Sequence, residues 1–118
     1  MNKTEKNIEV SKMYSGMSER EVLGCILLDD SKINEIIKYI PTKQVFYHKD
    51  HQNIWSAIYS LYKQNKKIDL SVVANYLGEK GFKITYYLSG ITEQIVSKGN
   101  LDTHAKIIYD LYRLKDKT

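Results

Sequence analysis

The sequence predicts an all-α protein: one compact domain of about six short helices around a central amphipathic helix. Three observations carry this. Apolar residues recur with a helical period of about 3.6 along most of the chain. No strictly alternating run of useful length appears. The 118 residues include one Pro and six Gly, too few for a fold rich in tight turns, and at 42% hydrophobic and 27% charged they suffice for one core but not two.

Residues 1–17 show no sustained period and are expected to form a loose N-terminal arm, with the helical domain over 18–118. Ser18-Glu19-Arg20-Glu21 has the form of a capping box and is expected to open the first helix. Val22, Leu23, Ile26 and Leu27 give that helix its apolar face, and Asp29-Asp30 ends it. Ser31 is expected to cap a second helix with Ile33, Ile36, Ile37 and Ile40 inward, closed by Pro41. Thr42 to Tyr47 is long enough for a single turn.

The central helix is expected within His48–Asn65, where His51, Ile54, Trp55, Ile58, Leu61 and Tyr62 share one side. It carries the only Trp, a side chain whose size anchors a core. Asp69 is placed to cap a fourth helix with Leu70, Val73, Ala74 and Leu77 inward, and Gly81 to supply the left-handed residue after it. Ile84, Tyr87, Leu88, Ile91 and Ile95 mark a fifth helix. Gly99 closes it, and Asn100 is placed to cap a sixth with Leu101, His104, Ala105, Ile108, Leu111 and Tyr112 on one face. The expected structural core therefore includes Leu23, Ile26, Leu27, His51, Ile54, Trp55, Ile58, Leu61, Leu88 and Ile108.

Nothing in the pattern points to catalysis. The glycines are too dispersed to cradle phosphates, and Ser, His and acidic residues stand in no nucleophile motif. His48 and His51 lie three apart, but no further ligands stand at matching spacing, so no metal and no catalytic or cofactor-binding residues are expected. Cys25, the single cysteine, sits in an apolar run and reads as a buried thiol. No apolar stretch approaches the roughly 20 residues that span a membrane, and a cytoplasmic protein is expected.

The formal net charge is +4, all of it from residues 51–118, which carry 10 basic against 6 acidic side chains. The lysines are scattered, short of the dense stripe of a nucleic-acid footprint. Ten Tyr are the unusual feature of the composition. Tyr59 and Tyr109 lie off the buried stripes of their helices, and with Lys63 and Lys66 they make a candidate protein interface of aromatic centre and polar edge.

Ser18-Glu19-Arg20-Glu21-Val22-Leu23-Gly24-Cys25-Ile26-Leu27-Leu28-Asp29 resembles the opening of the N-terminal domain of DnaB-type replicative DNA helicases. That family has an acid there, then Val-Leu-Gly and a Leu-Leu-Asp run. Phe46-Tyr47, His51, Ile54-Trp55, Ala57-Ile58 and Leu61 resemble a second family segment, and Ile68-Asp69, Val73, Leu77, Gly81, Tyr87-Leu88 and Asn100–Ile108 match later ones. Two departures stand out: Lys83-Ile84-Thr85-Tyr86 where the family has Gly-Gly before its Tyr-Leu, and His104 where it has Tyr.

The resemblance implies an assembly and docking domain rather than a motor. Copies self-associate, as dimers and as the hexameric collar of the full-length bacterial or phage protein, and the collar takes up primase or a helicase loader. DNA would be met only through the full-length assembly. In the family the chain continues into a helical hairpin, a linker and an ATPase domain, so ATP and Mg are implied only for that motor and no ATP hydrolysis is expected here. Two other readings fit the residues: the helicase-binding domain of a primase, and a small basic helical DNA-binding domain.

Overall fold

Helix α1 spans Lys3–Leu28 in the computed structural model, which describes residues 3–78, 81–94 and 100–116. At about 1.5 Å per residue it is the longest element of the fold. It packs most extensively on α6 (Leu101–Asp116), then on α5 (Gly81–Glu93), and also on α3 (Lys49–Lys63). The short α2 (Ile33–Ile36) lies against α6, and α4 (Leu70–Leu77) bridges α3 and α5. Among the described residues these six helices and three 3-10 turns are the only regular elements.

α1 does not begin at Ser18. The segment expected as a loose arm is, from Lys3, the opening of the same helix, and Ser18-Glu19-Arg20-Glu21 lies in its middle. A capping box needs a helix to start there. Here the backbone donors already have intrahelical partners, so the Ser18 and Glu19 side chains are released for tertiary contacts. From Val22 the helix is buried on more than a stripe: Val22, Leu23, Cys25, Ile26 and Leu27 are all inside.

Asp29 ends α1 and caps the 3-10 turn at Asp30–Lys32, its Oδ1 accepting from the Ser31 amide at 3.2 Å and the Ser31 hydroxyl at 2.6 Å. The cap is thus Asp29 rather than Ser31. The expected second helix is one α-turn between this 3-10 turn and another at Ile37–Tyr39. Ile33, Ile36 and Ile40 are buried even so, because steps of three and four residues keep them on one side. Ile40, before Pro41, leaves helical geometry as a residue preceding proline tends to. Thr42 then caps a 3-10 turn at Lys43–Val45 that drives Val45 and Phe46 into the core.

α3 carries the longest amphipathic stripe, with His51, Ile54, Trp55, Ala57, Ile58 and Leu61 buried along it. Trp55 is 2% exposed, its ring 5.6 Å from Phe46 and 6.2 Å from Tyr59. Asn65, at φ 56, turns the chain out of α3, and the Lys66 amide closes the end on the Leu61 carbonyl. Asp69 caps α4 as expected, accepting from the Val72 amide at 2.9 Å.

The left-handed residue after α4 is Gly78, at φ 73 and ψ −129, and not Gly81, which opens α5. That region of backbone space is open in practice only to glycine. α5 buries Leu88 and Ile91, and α6 buries Leu101, Ala105 and Ile108. Ile95 and Gly99, expected at the end of the fifth helix, lie outside the described residues. Leu23, Ile26, Leu27, Ile54, Ile58, Leu61, Leu88 and Ile108, the aliphatic residues assigned to the core, form one continuous cluster with Trp55.

Trp55→Ala would remove the largest buried side chain and should cost about 3–5 kcal/mol. Urea unfolding followed by circular dichroism measures this. Tryptophan emission of the unsubstituted chain should be blue-shifted until that transition.

Candidate functional site

The most constrained polar group in the fold is the Glu19 carboxylate, which is fully buried. It stands on α1 with Val22, Leu23 and Ile26 at i+3, i+4 and i+7, so the apolar face carries it inward. Its Oε2 accepts from the Tyr47 amide at 2.7 Å. Oε1 accepts from the His48 amide at 3.3 Å and from His51 Nδ1 at 2.7 Å. His48 is the N-cap residue of α3 and makes no cap with its own side chain. Glu19 therefore caps α3 from another helix, its charge set against the positive end of the helix dipole.

His51 holds the equivalent place on α3, with Ile54, Trp55 and Ile58 at i+3, i+4 and i+7, and is 2% exposed. An ionised carboxylate can only accept, so Nδ1 carries the proton it donates to Glu19. In the neutral ring Nε2 then accepts from the Tyr87 hydroxyl of α5, 2.5 Å away. Both nitrogens of His51 are thereby committed. The His48 ring stands beside it, with centroids 5.3 Å apart, and its buried Nε2 has no hydrogen-bond partner among the described residues. Gly16 makes room for this arrangement: a Cβ there would meet Arg20 Nη1 at 3.2 Å and His48 Nε2 at 3.3 Å.

Carboxylate, imidazole and hydroxyl in a row have the order of a nucleophilic triad, but the electrostatics run the other way. Burial raises the pKa of Tyr87 above its ordinary 10.0 and outweighs Arg20, which favours the phenolate; Asp50 and Glu19 add to the rise. A nucleophile needs the opposite shift. The row is a tie between α1, α3 and α5. A second tie runs from Ser18, next to Glu19, whose hydroxyl lies 3.1 Å from His104 Nδ1 on α6.

The surface residues singled out in the sequence fall in two places. Tyr59 is half-buried on Trp55, 6.3 Å from Tyr62, with Lys63 Nζ 5.4 Å above its ring. Lys66 is exposed just beyond α3. Tyr109, also half-buried, lies instead beside Tyr39 at 6.5 Å, with the Arg113 guanidinium 5.7 Å from its ring. No ring contact joins Tyr59 to Tyr109 among the described residues. The sequence reading missed Glu19, although its i, i+3, i+4, i+7 relation to the apolar face is visible there. It also missed Tyr39, whose place beside α6 depends on the turn at Ile37–Tyr39. A cleft of about 600 Å³ between α3, α4 and α5 is bordered by Lys43, Asn53, Ser56 and Tyr76.

The family model described as DnaB-like helicase N terminal domain matches residues 11–110. The chain belongs to the DnaB-like helicase N-terminal domain family. It is 35% identical over 94 residues to the replicative DNA helicase DnaB of Rhodothermus marinus, covering 76% of this chain and 10% of that protein. With the replicative DNA helicase DnaB of Treponema pallidum it shares 27% identity over 97 residues, 79% of this chain and 22% of the relative. It thus spans a tenth to about a fifth of the length of these relatives. The crystal structure of the N-terminal domain of DnaB helicase from Mycobacterium tuberculosis matches with a TM-score of 0.75 at 27% identity, over 83% of this chain and 72% of that one.

Two of the segments that resemble DnaB N-terminal domains, 18–29 and 46–61, are the ones that Glu19 and His51 join. The departure at Lys83–Tyr86 is absorbed within α5, which runs through it unbroken. His104, the other departure, meets Ser18. No helix among the described residues is long and apolar enough to cross a membrane.

Glu19→Ala should destabilise the domain by about 3–5 kcal/mol, because it removes a buried charge that His51 and two part-buried amides were paired with. Denaturant titration measures the loss, and Glu19→Gln should recover only part of it. In the folded chain Tyr87 holds its proton to a higher pH than in the unfolded chain. Its contribution to stability is therefore complete below about pH 10 and is lost as the pH rises through the raised value. Tyr87→Phe should flatten this alkaline loss, seen by comparing urea midpoints of the two chains across that range.

Proposed function

We propose that this chain is an assembly and docking domain of a replicative DNA helicase, which supports self-association of the ring and takes up primase or a helicase loader without motor activity of its own. The observation that carries the reading is how the polar and aromatic groups are divided. The buried Ser18, Glu19 and His51 side chains are taken up in ties between helices, and tyrosine rings capped by cations remain at the surface. Tyr and Arg are the residue types that concentrate binding energy at protein interfaces. The matched relatives are described as helicases, which supports the helicase side of a helicase–primase pair. Their bacterial sources fit a cytoplasmic setting, with DNA met through the full-length assembly. The surface cations Lys38, Lys63 and Arg113 lie apart over separate rings, unlike the continuous basic stripe of a DNA-binding domain.

Sedimentation velocity with and without a purified bacterial primase tests the reading. The chain should associate weakly with itself, since a small interface seldom repays the entropy of docking, and should co-sediment with primase. Tyr59→Ala with Tyr109→Ala should weaken that capture by about tenfold or more while cooperative unfolding persists. Tight binding to single-stranded DNA by the chain alone, or no capture of either primase or loader, would overturn it.

A further inference from the structure

One surface row gathers donors that the described fold leaves unused. Where the turn Ile37–Tyr39 meets α6, four side chains stand in sequence: Lys38, Tyr39, Tyr109 and Arg113. Lys38 Nζ lies 5.1 Å from the centre of the Tyr39 ring, Tyr39 lies 6.5 Å from Tyr109, and the Arg113 guanidinium lies 5.7 Å from Tyr109. The two cations are exposed and the two rings half-buried. Among the described residues neither cation has a carboxylate within ion-pair distance, and neither phenol has a hydrogen-bond partner. Both cations rest on ring faces instead. Among the described side chains the neighbouring charges do not neutralise the row. Glu35, one turn before Tyr39, is engaged by Lys32 at 3.4 Å, Asp110 makes no ion pair with Arg113, and Lys106 adds a further exposed cation on α6.

We propose that this row is a docking surface for an acidic segment of a partner protein. The proposal rests on the docking reading above and adds the chemistry of the partner. Two cations and two phenols present donors and no acceptor but the hydroxyl oxygens, which is complementary to carboxylates. The guanidinium fork takes a carboxylate bidentately, and the rings supply a large contact area that loses little conformational freedom on binding. A nucleic-acid strand fits less well, because the rings are tilted at 53° rather than set as a stacking platform.

The probes are two labelled synthetic helical peptides of about 16 residues, alternating Leu-rich and charged positions, one with Glu and one with Lys at every charged site, and a single-stranded oligo-dT of similar length. Fluorescence anisotropy should show the Glu peptide binding, more weakly at about 300 mM than at about 50 mM salt, and the Lys peptide not binding. Lys38→Glu with Arg113→Glu changes only exposed side chains. It should abolish binding of the Glu peptide and create binding of the Lys peptide. Tyr109→Phe should weaken the Glu peptide severalfold with the fold intact. Equal binding of both peptides, unchanged binding by the charge-reversed chain, or tighter binding of oligo-dT would each overturn the proposal. So would self-association that the charge reversal dissolves, since the occupant would then be a second copy. If the charge-reversed chain still captures primase, docking stands and this surface is not where it occurs. If the Glu peptide binds through the row but neither primase nor loader is captured, the surface stands and the helicase reading fails.

Discussion

A single buried carboxylate sets the geometry of the domain. Removing the charge of Glu19 from water costs several kcal/mol, and only well-placed donors offset such a cost. The Tyr47 and His48 amides and His51 Nδ1 provide them, together with the positive end of the α3 dipole. Those donors converge on one point, so α1 can neither slide nor rotate against α3 without stranding them. Hydrophobic packing alone would tolerate a family of registers. The carboxylate selects one.

Three other element starts are handled locally. Asp29, Thr42 and Asp69 each cap the next element within three residues, which leaves those elements free to be placed by their apolar faces. Asp30 is the intermediate case. It sits in the turn after α1 yet accepts from the Ile68 amide at 3.0 Å, which pins the approach to α4. Several long-range polar contacts therefore start from α1, at Ser18 and Glu19, and another just past its end. This matches its position against α3, α5 and α6.

The helical periods were legible because they are local: the stripes of α1, α3 and α6 can be traced along the chain without knowing what they face. The errors share a physical cause. Ser18-x-x-Glu21 has the spacing of a capping box, and spacing cannot tell whether a helix begins there or is already running. The same ambiguity hid Glu19, an ionisable residue in an apolar phase whose justification lies 32 residues away at His51. Gly78 and Gly81 both come after α4, and only the path of the backbone decides which takes positive φ. Tyr59 shows the limit of phase arguments, since a ring off the stripe can still lean onto Trp55 and lose much of its exposure.

The ties and the surface row are mechanically linked. Ser18 and Glu19 are adjacent on α1, so their side chains diverge by about 100° and reach different neighbours, His104 on α6 in one direction and α3 with α5 in the other. Fixing α6 in this way also fixes Tyr109 and Arg113, further along the same helix. Tyr39 is held from the other side by the buried Ile36 and Ile40 that flank its turn. The spacing of the two rings is thus inherited from buried contacts that the surface does not share. A surface held by its core in this way is preorganised, and a partner that meets it has little ordering left to impose.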